Sequence, residues 1–353
     1  MSKMLDEIRE QPAALERTLR SGLRTASQLA RAVATHPPKL ILLAARGTSD
    51  NAAQFGRYLL EIMTGIPVSL AAPSIVTLYG ASIHLQDAMV VSISQSGEST
   101  DTNLVLEQAR TQGALTVGVT NEPSSSLARL AEHVFLVRAG RERSVAATKT
   151  YSGQLLLFYL LAHALGARIR VDDLRRLPEW AEAALALESD IAARAERYRF
   201  MERAIVVGRG LNYANAFEFA LKLMETCYVV AERFSAADFL HGPIAMVEHS
   251  FPLFLFTPPG VTWPGMRDVL ERLAKLKAET LIVTDAGHSE AIDLNPRALV
   301  VPAKIGRRSA RPEELYTPIP YIIPAQLFAA SLAAWKGLDP DRPRTLTKVT
   351  RTL

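Results

Sequence analysis

The chain has one cysteine, Cys227, among 353 residues. An internal disulfide is therefore impossible, and no zinc site can be built on cysteine pairs. Its seven histidines show no metal-ligand spacing, so no metal or other cofactor is expected. No apolar run approaches the roughly 20 residues that span a bilayer. No signal-peptide pattern opens the chain, because charges of both signs begin at once. Aromatic residues make up only 7%, the net charge is only +4, and no basic stripe is interleaved with aromatics. Nucleic acid is thus not an expected partner. A cytoplasmic protein without a metal, long enough for two ordinary domains, fits these limits.

What is present centres on Val90–Thr102 (VVSISQSGESTDT). The apolar, β-branched run Ala88–Ile93 suits a strand covered on both faces. Gly97 permits a tight turn and close approach of a ligand. Ser99, Thr100 or Asp101 can cap a following helix that carries Leu104, Val105, Leu106 and Ala109. Hydroxyls gathered at a helix N-terminus suit a phosphate monoester; an ordinary capped turn has the same composition.

Around this stretch, strands and helices alternate. Residues 4–33 read as helical, with a break at Pro12. Leu40–Ala44 reads as a buried strand leading into Arg46-Gly47-Thr48-Ser49 and a helix. Short strands follow near Val68–Ala71, Ala114–Val119 and Val134–Val137. Residues 148–165 read as a long apolar helix and 172–199 as connecting helices. Such alternation predicts an α/β fold with a parallel sheet and helices on both faces. Ligands then sit beyond the carboxyl ends of the strands, where both hydroxyl-rich turns fall.

The pattern repeats. Ala204–Gly210 matches the segment ending at Arg46-Gly47 in type and order, and Arg46 and Arg209 lie 163 positions apart. At nearly the same offset Ser94 falls on Thr257, and Val119-Thr120-Asn121 on Val283-Thr284-Asp285. Two tandem α/β domains of flavodoxin-like, doubly wound type are expected. Their ranges are 38–170 and 201–338, with an N-terminal helical segment 1–37, a helical linker 171–200 and a C-terminal tail 339–353. The second copy replaces the serine loop by Thr257-Pro258-Pro259-Gly260, where prolines remove N–H donors. The first copy should therefore hold the phosphate, and the second should supply something else.

That something else is legible as side-chain types. A helix over about Tyr213–Cys227 carries an apolar stripe of Phe217, Leu221, Met224 and Tyr228. On another of its faces Glu218, Lys222 and Glu225 stand four and three residues apart, hence as neighbours. Such a trio is either an acid/base pair in a cleft or a weak ion pair on a solvated face. His241-Gly242-Pro243 holds a histidine in a loop, where it can act as acid or base near neutrality or serve structure alone. Lys348, in a C-terminal stretch of mixed polar and β-branched residues, is a candidate amine nucleophile or charge partner; a surface tail is the alternative.

Taken in order, these motifs resemble the sugar isomerase (SIS) domain family. Within it the chain is similar to the isomerase half of glutamine–fructose-6-phosphate amidotransferase. The resemblance starts at Met4–Pro12 and continues through Arg46–Ser49, Ser94–Ser99, Val145–Lys149, Ala220–Glu225 and His241–Pro243, ending at Asp341–Lys348. It implies that Gly47, Thr48, Ser49, Ser94, Gln95, Ser96 and Ser99 hold the sugar phosphate and nearby hydroxyls, with Val145 and Ala147 contacting the sugar. It implies Glu225 as the base between C1 and C2, with Lys222 charging or orienting the site. It further implies His241 as the ring-opening group, contributed across a homodimer, and Lys348 as the group engaging the open-chain carbonyl.

Three positions depart from the synthase: Arg46 stands for a small thiol, Ala147 for serine and Leu240 for lysine. No glutaminase half accompanies the match, and no cysteine lies near the N-terminus, so glutamine-dependent synthesis is not expected. The resemblance is strongest to stand-alone SIS-type glucosamine-6-phosphate deaminases. The expected reaction converts glucosamine 6-phosphate and water to fructose 6-phosphate and ammonia. Fructosamine-6-phosphate deglycation, plain phosphosugar isomerisation, ammonia-dependent glucosamine-6-phosphate synthesis and a non-catalytic sugar-phosphate sensor are the alternatives.

Overall fold

The computed structural model describes residues 2–306 and 310–348. The chain forms two compact units, each built on its own five-stranded parallel sheet. The first-sheet unit comprises Ala13–Glu142, Lys149–Arg176 and Leu346–Leu353, of which 346–348 are described. The second-sheet unit comprises Met1–Pro12, Arg143–Thr148 and Leu177–Thr345. These packing units differ from the ranges read off the sequence. The helical segment 1–37 is shared between them, and residues 143–148 pack with the second-sheet unit.

In the first-sheet unit the strands are β1 (Leu40–Ala44), β2 (Val68–Leu70), β3 (Ala88–Ile93), β4 (Leu115–Thr120) and β5 (His133–Leu136), in the order β2-β1-β3-β4-β5. Every residue of β3 is buried, as its β-branched composition requires. The helix Thr48–Thr64 packs on the helix Lys149–Ala164, where Phe55 meets Tyr159 edge to face at 5.2 Å. Their close approach depends on Gly56, whose added Cβ would fall 2.3 Å from the Phe158 ring.

In the second-sheet unit the strands are β6 (Arg203–Gly208), β7 (Val230–Ser235), β8 (Pro252–Phe256), β9 (Glu279–Asp285) and β10 (Leu299–Val301). Their order is β10-β9-β8-β6-β7, the same succession as in the first sheet read from the opposite edge. The internal repeat is therefore a repeat of topology. In each sheet the chain reverses direction of winding between two neighbouring strands, β1 and β3 or β6 and β8, and a crevice opens beyond their carboxyl ends.

Three sequence expectations change in detail. The break expected at Pro12 is present and falls at Glu10, two residues earlier: the helix Lys3–Arg9 ends there, and Pro12 sits in the first turn of the next helix, Gln11–Thr35, where its missing N–H costs nothing. The stripe Phe217, Leu221, Met224 and Tyr228 is not the buried face of its helix: all four are half-buried or exposed. That helix, Tyr213–Cys227, packs on β6 and β7 and also against the helix Pro318–Trp335. The buried faces belong to Ala214, Phe219, Ala220, Leu223 and Cys227, together with the charged Glu218 and Lys222. Cys227 donates to the Ala329 carbonyl at 3.2 Å, and burial pushes its thiol up to about 11.

The third change concerns apolar runs. Pro318–Trp335 is 18 residues long and apolar enough by composition to cross a membrane, yet 89% of it is buried. It packs against the helices Tyr213–Cys227, Leu177–Leu185 and Glu188–Ala195. A helix apolar on every side is what such a central position demands.

Candidate active site

The first-sheet crevice is shaped by two loops. After β1, Gly47 takes φ +57 and starts the helix Thr48–Thr64, with Asp50 and Asn51 donating their N–H groups to its carbonyl at 2.9 and 3.1 Å. Thr48 is half-buried, whereas the buried Ser49 hydroxyl accepts from Gln154 at 2.9 Å and so is partly spent on structure. After β3, Ser94 donates its N–H to the Val119 carbonyl at 3.0 Å, which extends the sheet pairing by one residue.

The chain then turns. The Gly97 N–H reaches both the Ser94 carbonyl at 3.2 Å and the Ser94 hydroxyl at 3.1 Å. Ser99 occupies the N-cap of the helix Thr100–Thr111 but does not cap it; its hydroxyl meets that of Ser94 at 3.0 Å. Two of the expected hydroxyls thus converge, with Gln95 and Ser96 half-buried between them in the chain. The Gln95 carbonyl accepts from Asn121 N–H at 3.1 Å, so the turn is anchored on the neighbouring β4 loop.

Gly97 is required on two counts. Its φ is +67, and an added Cβ would lie 2.2 Å from the Ser125 hydroxyl. A left-handed backbone costs a residue with a Cβ about 1–2 kcal/mol before any overlap. Gly97→Ala is therefore expected to lower stability by about 2 kcal/mol or more in urea unfolding. A loss under about 0.5 kcal/mol, the range of neutral surface changes, would mean that the turn relaxes freely.

Two carboxylates in this unit were not singled out as site residues from the sequence. Asp101, first read as a possible cap, is nearly fully buried and takes Arg46 Nε at 2.6 Å. The residue that departs from the synthase is thus fixed beside the crevice. Glu142, also buried, accepts from Thr150 N–H at 3.2 Å and the Thr150 hydroxyl at 2.7 Å, and pairs with Lys348 Nζ at 2.9 Å. Lys348 belongs to the described residues and is docked, not a free surface group; residues 349–353 of the tail lie outside the described ones.

The second-sheet unit assembles the other candidates. Lys222 is wholly buried between Glu218, at 3.3 Å and equally buried, and Glu225, at 2.6 Å with 21% of its side chain exposed. The solvated-face alternative is thereby excluded. Burial by itself would push the Lys222 ammonium down, but the two carboxylates outweigh it and hold its pKa above the ordinary lysine range. Lys222 is a permanent cation, fit to charge and orient Glu225 rather than to form an imine.

Val145 and Ala147 are half-buried in a segment that Glu7 pins through Arg143 N–H and, at 3.2 Å, Ser144 N–H. Gln326 pins the same segment through the Thr148 carbonyl at 3.4 Å and is itself held by Gln11 at 2.8 Å. His241 follows the short helix Ala236–Leu240, is exposed, and makes no hydrogen bond to Lys222 or Glu225. Glu7 could not be assigned a supporting role from the sequence because its partners are remote, whereas spacing placed Glu218 beside Lys222 and only the fold shows that both are buried.

The crevice of the second sheet is filled by protein. Thr257, Pro258 and Pro259 are buried, and a Cβ on Gly260 would lie 2.5 Å from a Glu314 carboxylate oxygen. Nearby, His288 Nδ1 donates to the Thr257 carbonyl at 3.1 Å, and the ring meets Trp263 edge to face at 4.3 Å. Burial lowers the His288 pKa from 6.5, and the opposing pull of Asp285, Glu290 and Glu313 does not restore it. A histidine that must stay neutral in the fold contributes stability above its unfolded pKa, and this is lost as pH falls from about 6.5 through its folded value. Thermal unfolding should therefore fall off less steeply below pH 6.5 in His288→Gln than in the parent protein. Identical slopes would show that His288 charges freely in the fold.

A model of the SIS domain matches residues 36–164 and again 199–335. The glutamine–fructose-6-phosphate aminotransferase (isomerizing) of Pyrococcus horikoshii is 34% identical over 351 residues, covering 98% of this chain and 57% of that protein. The enzyme of the same name from Methanothermobacter thermautotrophicus is also 34% identical, with 98% of this chain and 56% of that protein covered. This chain thus spans about half the length of the curated relatives it matches. Among solved structures, the C-terminal domain of glucosamine-fructose-6-phosphate aminotransferase from Francisella tularensis superposes with a TM-score of 0.86 at 27% identity, covering 97% of this chain and 98% of that one. Glucosamine-6-phosphate deaminase from Thermotoga maritima shares the fold, with a TM-score of 0.76 at 20% identity over 99% of this chain and 100% of that one. With two matched copies, two sheets of one topology and this likeness along nearly its whole length, the chain belongs to the SIS domain family and resembles the isomerase half of glutamine–fructose-6-phosphate aminotransferase.

Proposed function

We propose that the protein is a phosphosugar isomerase that deaminates an amino-sugar phosphate, converting glucosamine 6-phosphate and water to fructose 6-phosphate and ammonia. The observation that carries this reading is the buried Glu218–Lys222–Glu225 trio, with only Glu225 reaching solvent. A binding module gains nothing from burying a lysine between two carboxylates, whereas a proton-transfer base gains a fixed position and a steady counter-charge.

In this reading the Ser94–Ser99 turn and Thr48 hold the phosphate, while Val145 and Ala147 contact the sugar. Glu225 removes the proton from C2 of the open-chain aldosamine and returns it to C1, as the C1 aldehyde becomes an alcohol and C2 an imine. Water then adds at C2, its oxygen becomes the ketone, and nitrogen leaves as ammonia. Lys348 bears on the open-chain carbonyl. His241 opens the ring; its exposed position supports a role toward a second copy in a homodimer. Sedimentation of an active monomer would remove that part of the reading.

Purified protein given glucosamine 6-phosphate should release ammonia and fructose 6-phosphate in equal amounts. Release from neither glucosamine 6-phosphate nor galactosamine 6-phosphate would overturn the deaminase assignment.

A further inference from the structure

The offset of 163 positions that relates the two copies also relates their crevice loops. By it Gly47 falls on Gly210, Gly97 on Gly260 and Ser99 on Thr262. All four glycines have positive φ: +57 at both Gly47 and Gly210, +67 at Gly97 and +109 at Gly260. Ser99 and Thr262 stand at the N-caps of the helices Thr100–Thr111 and Trp263–Lys275, and neither side chain caps its own helix. The second-sheet crevice thus keeps the glycines and a hydroxyl of the first, although Pro258 and Pro259 stand for Gln95 and Ser96.

What lies between the loops differs. A Cβ added at Gly47 would meet nothing within 4 Å, so the first-sheet crevice is open there. A Cβ at Gly210 would stand 3.9 Å from Glu314 Oε1, and one at Gly260 2.5 Å from Glu314 Oε2. The Glu314 carboxylate therefore sits between the two loops. It faces the Val261 N–H and Thr262, which pull its pKa down, while burial pushes it up more strongly. Glu314 is only 1% exposed, and neither its Oε2 nor the buried Thr262 hydroxyl has a hydrogen-bond partner among the described residues. An acid kept in such a place costs stability unless its surroundings favour negative charge. The N-terminus of a 13-residue helix does so.

We propose that Glu314 is the built-in occupant of a second phosphate site: its carboxylate takes, in the second-sheet crevice, the place that the substrate's phosphate takes in the first, and keeps that crevice closed to ligands. The covered site accepts inorganic phosphate once the side chain is withdrawn. This rests on the phosphate reading of the first-sheet crevice and goes beyond it, since it fixes one sugar phosphate per chain.

The test is rescue by phosphate. Glu314→Ala and Glu314→Gln are each made in a Glu313→Gln background, which removes the other carboxylate charge bearing on the site. Thermal unfolding is followed in phosphate and in chloride at equal ionic strength. In chloride the alanine variant should melt about 4 °C or more below its background, the scale of one lost charged contact in a unit of this size. Phosphate should return most of that loss, beyond whatever rise it gives the background through the first-sheet crevice. The glutamine variant, with the site still filled, should gain no more than the background does. A gain in the alanine variant no larger than in the other two proteins would overturn the proposal. If Glu314→Ala does not fold in chloride, refolding from urea in phosphate reads the same effect, and no recovery there overturns it as well. Calorimetry of the parent gives the second check, with one fructose 6-phosphate expected per chain. Two would overturn the proposal, because the second-sheet crevice would then be open. None would sink the sugar-phosphate reading, and with it the likeness between the crevices on which Glu314 is assigned.

Discussion

Replacing Glu225 by glutamine is expected to lower the isomerisation rate by about 10²–10⁴-fold, the range that a positioned general base contributes, while sugar-phosphate affinity changes only a few-fold. The substitution is close to isosteric. The amide oxygen can still accept from Lys222 Nζ, which now lies 2.6 Å from a Glu225 oxygen. Lys222 also keeps Glu218 as its counter-charge, so no buried cation is orphaned. What disappears is the capacity to take up a carbon-bound proton at pH 7. Ammonia release from glucosamine 6-phosphate, followed enzymatically, reads the rate; calorimetry reads the binding. A variant retaining more than a tenth of the parent rate would remove Glu225 from proton transfer. If the parent binds the sugar phosphate without turning it over, the variant loses nothing and the protein is a sensor.

Lys222→Met should have the largest effect on stability, a loss of about 3–5 kcal/mol, because removing one partner of a buried pair strands the other. Lys222 and Glu218 both have side chains with 0% exposure. Glu225 reaches solvent, whereas Glu218 has no such escape and must remain charged at a high cost or bind a proton. Urea unfolding of the variant measures the loss. Adding Glu218→Gln should recover part of it, since a buried pair removed together costs less than one partner removed alone. A single variant within about 1 kcal/mol of the parent would mean that water reaches this pair. The parent keeps its contribution below the ordinary lysine pKa of 10.5, and the contribution is lost as pH rises through the higher folded value.

These residues also mark the limit of what could be read from sequence. Strand β3 and the turn after it were legible because local features determine them: a β-branched run, then one glycine that must turn. The internal repeat was legible because equivalent strands stand at a nearly constant offset. The spacing of Glu218, Lys222 and Glu225 showed that they are neighbours, but not that they are buried. Burial depends on which face the helix Tyr213–Cys227 turns to its surroundings, and two layers cover it, β6 and β7 on one side and Pro318–Trp335 on another. The sequence stripe of Phe217, Leu221, Met224 and Tyr228 suggested the wrong face for this reason: a helix covered on two sides does not follow a one-stripe pattern. Glu7, Asp101 and Glu142 act through partners tens to hundreds of positions away, or through backbone groups, and no local pattern encodes those meetings. Arg17, Arg20, Arg138 and Arg141 line one cavity with Gln95 and Ser96 but are scattered through the chain, so they never looked like a basic patch.

The helix Pro318–Trp335 has a consequence for how the protein is made. The strands of the second sheet and the helix Tyr213–Cys227 leave the ribosome before it does, since all precede residue 318. Until it emerges, the face of the Tyr213–Cys227 helix that rests on it stays bare, and so do the sides of Leu177–Leu185 and Glu188–Ala195 that pack there. The unit then closes late, around a segment hydrophobic enough to be mistaken for a bilayer anchor if it lingers outside. Slowed synthesis just upstream of Pro318, or substitutions that delay docking of this helix, would consequently lower the soluble yield before they altered the finished protein.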